Sequence, residues 1–128
     1  MQRCLLDTHV LLWWLSDDLQ LGERSRQMIR DPRNQIFVSA ASTWEISLKS
    51  ALGKLDVPAD MDSVVEDEGF SKLPINLYHG QLAGQLPSIH RDPFDRMLIA
   101  QAQSEGLILM TADETIPQYK LRVFDPRS

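Results

Sequence analysis

Residues 2–15 read Gln2-Arg3-Cys4-Leu5-Leu6-Asp7-Thr8-His9-Val10-Leu11-Leu12-Trp13-Trp14-Leu15, and their character changes at Asp7. Gln2 to Leu6 is short and apolar, as a buried strand is, whereas Thr8 to Leu15 has the apolar density of a buried helix capped by Asp7 or Thr8. A strand passes directly into a helix, and an acidic residue stands at the junction. Chains built from this unit form parallel sheets, because right-handed crossovers bring strand C-termini and helix N-termini to one side.

The alternation continues along the chain. Leu21 to Arg30 is predicted as a more exposed helix, with Arg24, Arg26 and Arg30 among Leu21, Met28 and Ile29, and it stops at Asp31-Pro32, where proline blocks continuation. Gln35 to Ser39 is the next strand. Ala41 to Leu52 sets Trp44, Ile46, Leu48 and Leu52 near helical spacing and meets Gly53 at its end. Asp60 to Phe70 follows as a helix, Lys72 to Ile75 as a short strand, and Tyr78 to Gln85 as a helix before the loop Leu86 to Arg91. Pro93 to Glu105 is the clearest helix, with proline first, Phe94, Met97, Leu98 and Ala102 on one face, and Gly106 beyond its end. Leu107 to Met110 is a buried strand. The fold class is α/β, with a central parallel sheet.

A chain of 128 residues with 43% hydrophobic content can bury a core without staples, and it is read as a single domain over residues 1–128. The lone Cys4 has no disulfide partner, so nothing calls for an oxidising compartment. Charge interrupts the N-terminal apolar stretch too early for a signal peptide, and the run Val10 to Leu15 is far shorter than the ~20 residues that span a bilayer. A soluble, cytoplasmic protein without membrane partners is expected. The net charge of −5 argues against a broad basic grip on nucleic acid, yet bound cations would cancel part of it locally and meet phosphate directly.

Four acids fall at helix and strand boundaries: Asp7, Glu45, Asp95 and Asp113. If those boundaries share the ligand-binding edge of the sheet, the carboxylates converge. Two of them ~4 Å apart repel by about 4 kcal/mol at an effective dielectric of ~20, so such a cluster asks for a divalent cation. Singly, each has a structural explanation: Asp92-x-x-Asp95 and, better, Ser42-x-x-Glu45 resemble capping boxes, and Glu45 to Lys49 is a favourable helical pair. Jointly, four acids from distant parts of the chain on one edge favour function. All-oxygen ligation suits Mg²⁺ or Mn²⁺, whereas His9, His79 and His90 lack the paired spacing of a zinc site. His90 reads as a loop residue and Cys4 as core. Adjacent Trp13 and Trp14 cannot both face inward, so one is expected to mark a partner surface.

These stretches carry a resemblance over essentially the whole length. Leu5 to Trp13, Val38 to Ile46 with Lys49 and Gly53-Lys54-Leu55, His90 to Ala100, and Thr111-Ala112-Asp113 resemble the ordered motifs of PIN-domain proteins, specifically the VapC-type toxin ribonucleases of type II toxin–antitoxin systems. The resemblance implies a PIN-like three-layer α/β/α sandwich and an acidic site that binds Mg²⁺ or Mn²⁺ and cuts RNA. It carries Asp7 and Asp95 over most firmly as metal ligands, with Asp113 acting through water and Glu45 positioning the metal or its waters. Asp92 lies near the site and matches a cap as well as a ligand. Thr8, Ser39 and Thr111 stand beside the acids as hydrogen-bonding supports, and Arg91 and Arg96 are candidates to meet phosphates. The resemblance also implies a VapB-type antitoxin whose C-terminal segment wraps the enzyme, operator DNA bound only through that antitoxin, and a homodimer.

Two readings from other classes compete. A phosphoacceptor receiver-type signalling domain also has Asp at strand ends and binds Mg²⁺, but here Leu5-Leu6 precede a lone Asp7 where that class has an acidic pair. A non-catalytic RNA-binding module would use the acids only as caps.

Overall fold

The computed structural model describes residues 1–58 and 60–128. Among the described residues the order is β1 (Arg3–Leu6), α1 (Thr8–Leu15), α2 (Glu23–Arg30), β2 (Gln35–Ser39), α3 (Ala40–Ala51), α4 (Met61–Asp67), β3 (Ser71–Leu73), α5 (Leu77–Gln85), α6 (Pro93–Glu105), β4 (Ile108–Met110), a 3-10 turn (Ile116–Gln118) and β5 (Val123–Phe124). The strands form one sheet in the order β3-β2-β1-β4-β5, and every pairing is parallel. This order differs from the 2-1-3-4-5 order of receiver domains, which removes that reading at the level of topology.

Period-two alternation divides the core. Cys4, Leu6, Ile36, Val38, Ile108 and Met110 join Val10 and Leu11 of α1, Ile29 of α2 and Val65 of α4 on one face. Leu5, Phe37 and Leu109 point the other way, onto Ala83 of α5 and Leu98, Ile99 and Ala102 of α6. The α3 helix serves both layers, giving Ile46 to the first cluster and Ala41 to the second. Helices thus cover both faces, and the architecture is the α/β/α sandwich that the sequence implies.

Local chemistry sets the helix ends. Asp7 caps α1, its Oδ1 accepting from Val10 N at 2.9 Å, and Asp92 caps α6, its Oδ1 accepting from Phe94 N at 2.8 Å and Asp95 N at 3.2 Å. Pro93 opens α6, and Gly106, at φ 66°, closes it in the left-handed region that favours glycine. The Ser42–Glu45 capping box is not formed: Ser39 caps α3 by accepting from Ala41 N at 2.9 Å, so Ser42 and Glu45 lie inside the helix. The glycine at position 22 is required by close approach, because a Cβ there would run into the Ser128 backbone. The last residues pack on the start of α2, with Gly22 N donating to Pro126 O at 2.8 Å and Ser25 N to Ser128 O at 3.1 Å.

Trp13 and Trp14 are both half-buried and pack against the core, and Trp14 Nε1 donates to Glu68 Oε1 at 2.6 Å. The tryptophan that meets solvent is instead Trp44, 62% exposed on α3 and edge-on to Phe94 at 4.9 Å. Among the described residues no helix is long and apolar enough to cross a membrane.

Candidate metal centre

Strand order reverses at β1, which has β2 and β3 on one side and β4 and β5 on the other, so the crevice between the C-terminal ends of β1 and β4 is where an open sheet of this kind takes a ligand. Asp7 follows β1 directly, and Thr111 follows β4. Thr111 Oγ1 donates to Asp7 Oδ2 at 2.6 Å and accepts from Asp113 N at 3.1 Å, so one hydroxyl joins the two strand ends. Asp7 is 5% exposed, and burial raises its pKa above the usual carboxylate range, against the opposing pull of Thr111 and the Val10 N–H.

The α6 helix delivers Asp95 in its first turn. Burial, then the nearby Asp92 charge, push the Asp95 carboxyl up to about 7, with Asp7 and Asp113 adding to the same effect and His90 opposing it. On Asp113 burial also acts upward, but the hydrogen bond with His90 and the N–H groups of Thr115 and Ile116 outweigh it and leave the pKa lowered. Asp113 Oδ1 accepts from Thr115 N at 2.8 Å and Ile116 N at 3.2 Å, which fixes the carboxylate at the start of the 3-10 turn.

Glu45 enters from the second turn of α3, buried, with Oε2 2.7 Å from Lys49 Nζ. That hydrogen bond raises the Lys49 pKa, and Asp92 and Asp95 act on the same ammonium from across the crevice. Glu45 in turn adds to the rise at Asp7. The four acids named from sequence therefore act on one another through one crevice.

The tightest group of potential donors has a different membership. Among the described residues, His90, Asp95 and Asp113 present ligand-type atoms within 4.8 Å of one another; Asp7 acts on Asp95 of that group, and Glu45 acts on Asp7. His90, read from sequence as an ordinary loop residue, sits between the two acids, with Nε2 3.1 Å from Asp95 Oδ2 and 3.0 Å from Asp113 Oδ2. Its nearness in sequence to Asp92-Pro93-Phe94-Asp95 was the available signal.

The supporting residues divide. Thr111 touches two of the acids, and Asp92 caps α6 while its charge acts on Asp95. Thr8 Oγ1 donates to Ser42 Oγ at 3.0 Å, and Ser39 Oγ donates to Gln101 Oε1 at 2.5 Å, so both hydroxyls bind other parts of the fold. Arg96 donates to the carbonyls of Ala83, Leu86, Pro87 and His90 at 2.8–3.1 Å. Its guanidinium builds the loop before α6, and four of its five N–H groups are committed there, away from phosphate.

The model of the PIN domain family matches residues 4–121, and the chain belongs to that family. Within it, the chain is similar to Ribonuclease VapC22 of Mycobacterium tuberculosis, at 26% identity over 123 residues and 94% of either protein. It is also similar to Ribonuclease VapC16 of the same organism, at 41% identity over 59 residues, a match that spans 43% of this chain and 42% of that relative's length. A crystal structure of DNA-bound VapBC from Salmonella typhimurium superimposes with a TM-score of 0.67 over 98% of each chain at 20% identity, a likeness of fold.

Proposed function

We propose that this chain is a Mg²⁺- or Mn²⁺-dependent endoribonuclease that hydrolyses RNA phosphodiester bonds, acting as the toxin of a type II toxin–antitoxin pair. The observation that carries the reading is the set of buried and half-buried, mutually repelling carboxylates at the switch point of a parallel sheet, where desolvation holds Asp7 and Asp95 above their ordinary range. A half-buried carboxyl pushed up to about 7 becomes a good ligand once a cation offsets its neighbours. The donor chemistry fits the metal: Asp7, Asp95, Asp113 and Glu45 offer hard carboxylate oxygens, the set that Mg²⁺ and Mn²⁺ accept.

Asp7 and Asp95 are the ligands in this reading, Asp113 acts through water, and Glu45 orients the site from α3 while Lys49 balances its charge. When bound, the metal supplies an activated water for in-line attack and stabilises charge on the leaving oxygen. Thr111 keeps Asp7 and the Asp113 backbone in register, and Asp92 anchors the helix end that presents Asp95. The names of the two mycobacterial relatives support ribonuclease activity, and the DNA-bound VapBC complex supports a VapB-type antitoxin that contacts operator DNA. A homodimer, a cytoplasmic location and one catalytic unit over residues 1–128 complete the proposal.

The test is expression of wild type and Asp7→Asn in a host, with mapping of new RNA 5′ ends, beside cleavage by purified wild type and Asp95→Asn in Mn²⁺. New ends and Mn²⁺-dependent cleavage are expected from wild type alone. Equal cleavage by all three proteins would overturn the assignment, and RNA binding without new ends would favour the non-catalytic module.

A further inference from the structure

We propose that His90 is a positioning residue of this centre, a fixed Nε2–H donor to Asp113 held against Asp95, that does not itself ligate the metal. The inference rests on the metal-binding reading above and assigns a role to a residue that the four-acid motif omits.

The argument begins at the other ring nitrogen. His90 Nδ1 lies 3.1 Å from the backbone N of Asp92, and a backbone N–H can only donate. Nδ1 therefore offers its lone pair, and the ring hydrogen belongs on Nε2, because the bond made by one imidazole nitrogen sets the state of the other. That hydrogen is directed at Asp113 Oδ2, 3.0 Å away, while Asp95 Oδ2 lies 3.1 Å from the same nitrogen as an electrostatic contact. Direct ligation through Nε2 would need its lone pair and would move the hydrogen to Nδ1, where it would meet the Asp92 N–H head-on.

The ring cannot easily shift to escape this constraint, since its backbone is held from both sides. His90 N donates to Tyr119 Oη at 2.8 Å, Tyr119 Oη donates to Pro87 O at 2.7 Å, and the His90 carbonyl accepts from Arg96 at 3.1 Å. Asp113 is fixed at its far end too, through Oδ1 to Thr115 and Ile116. One imidazole, hydrogen-bonded to Asp113 and in electrostatic contact with Asp95, thus joins the loop after β4 to the start of α6, acids that would otherwise repel apart. Outer partners of this kind fix ligand orientation, and their loss typically lowers metal affinity about 10- to 100-fold. With His90 as donor, the atoms left for a cation are all oxygen, which suits Mg²⁺ as well as Mn²⁺.

Mn²⁺ binding by the intact chain, followed by EPR, tests this without reference to turnover. His90→Ala is expected to bind Mn²⁺ about 10- to 100-fold more weakly. His90→Gln, whose amide N–H reaches the Nε2 position, is expected to recover most of that loss. Pulsed EPR of the Mn²⁺-loaded wild type should show no imidazole-nitrogen coupling that vanishes in His90→Gln. Such a coupling, or unchanged affinity in His90→Ala, would overturn the proposal and leave the metal reading standing. A wild type that bound no Mn²⁺ would overturn both.

Discussion

Asp95 is held in the folded chain in a state that water would not choose. Its pKa rises from 3.8 to about 7, chiefly through burial and then through Asp92. A carboxyl raised on folding contributes stability in full below its unfolded value and loses it as pH climbs through the folded one. Metal-free wild type is therefore expected to lose ground to Asp95→Asn between pH 4 and pH 8, because the amide does not ionise. Urea unfolding of both proteins in EDTA across that range checks it, and a pH-independent difference would show that Asp95 is not strained by ionisation. Asp7 and Asp95 were legible as acids at element boundaries, a property of sequence spacing. The place of His90 was not, because it depends on the loop before α6 folding back toward Asp113, 23 positions away.

That loop is the work of one element's side chain. Arg96, on the first turn of α6, ties the carbonyls of residues 83, 86, 87 and 90 to the helix that carries Asp95. Charged hydrogen bonds of this kind contribute about 1.5–3 kcal/mol each, less where solvent competes, so Arg96→Met should lower stability by roughly 2–4 kcal/mol. Arg96→Lys should recover little, since one ammonium cannot span four carbonyls. Denaturant midpoints measure the loss, and hydrogen exchange should locate it in residues 83–90; a loss spread evenly over the sheet would argue against this role. Helices α1 and α6 could be read to the residue because Asp7, Pro93 and Gly106 mark their ends chemically. The 3-10 turn and the two-residue β5 could not, since neither is long enough to show a period, and β5 exists only through its pairing with β4. Arg96 itself looked like a phosphate contact from sequence, because only the fold reveals how many carbonyls surround it.

At the scale of the molecule, the sheet order decides what the acids can do. Placing β1 beside β4 sets Asp7 against the loop that carries Thr111 and Asp113, although more than a hundred residues separate them in the chain. Alternating strand and helix foretold one shared edge, but not which strands would be neighbours, so the sequence indicated convergence without its distances. The converging acids make that edge repulsive until a cation arrives, and binding the folded state alone must then stabilise it. Mn²⁺ or Mg²⁺ at a hundredfold excess over its dissociation constant should add about 2.7 kcal/mol. For a chain of this length, with unfolding entropy near 2.1 cal/mol/K per residue, that corresponds to a rise in Tm of roughly 10 °C. Asp95→Asn should flatten the response, while Ca²⁺ should raise the wild-type Tm more than it supports cleavage. Calorimetry across a metal titration measures both. A wild-type transition indifferent to millimolar Mn²⁺ would mean that the crevice tolerates its charge by protonation alone, as the raised pKa values of Asp7 and Asp95 would permit, and the acids would then be structural.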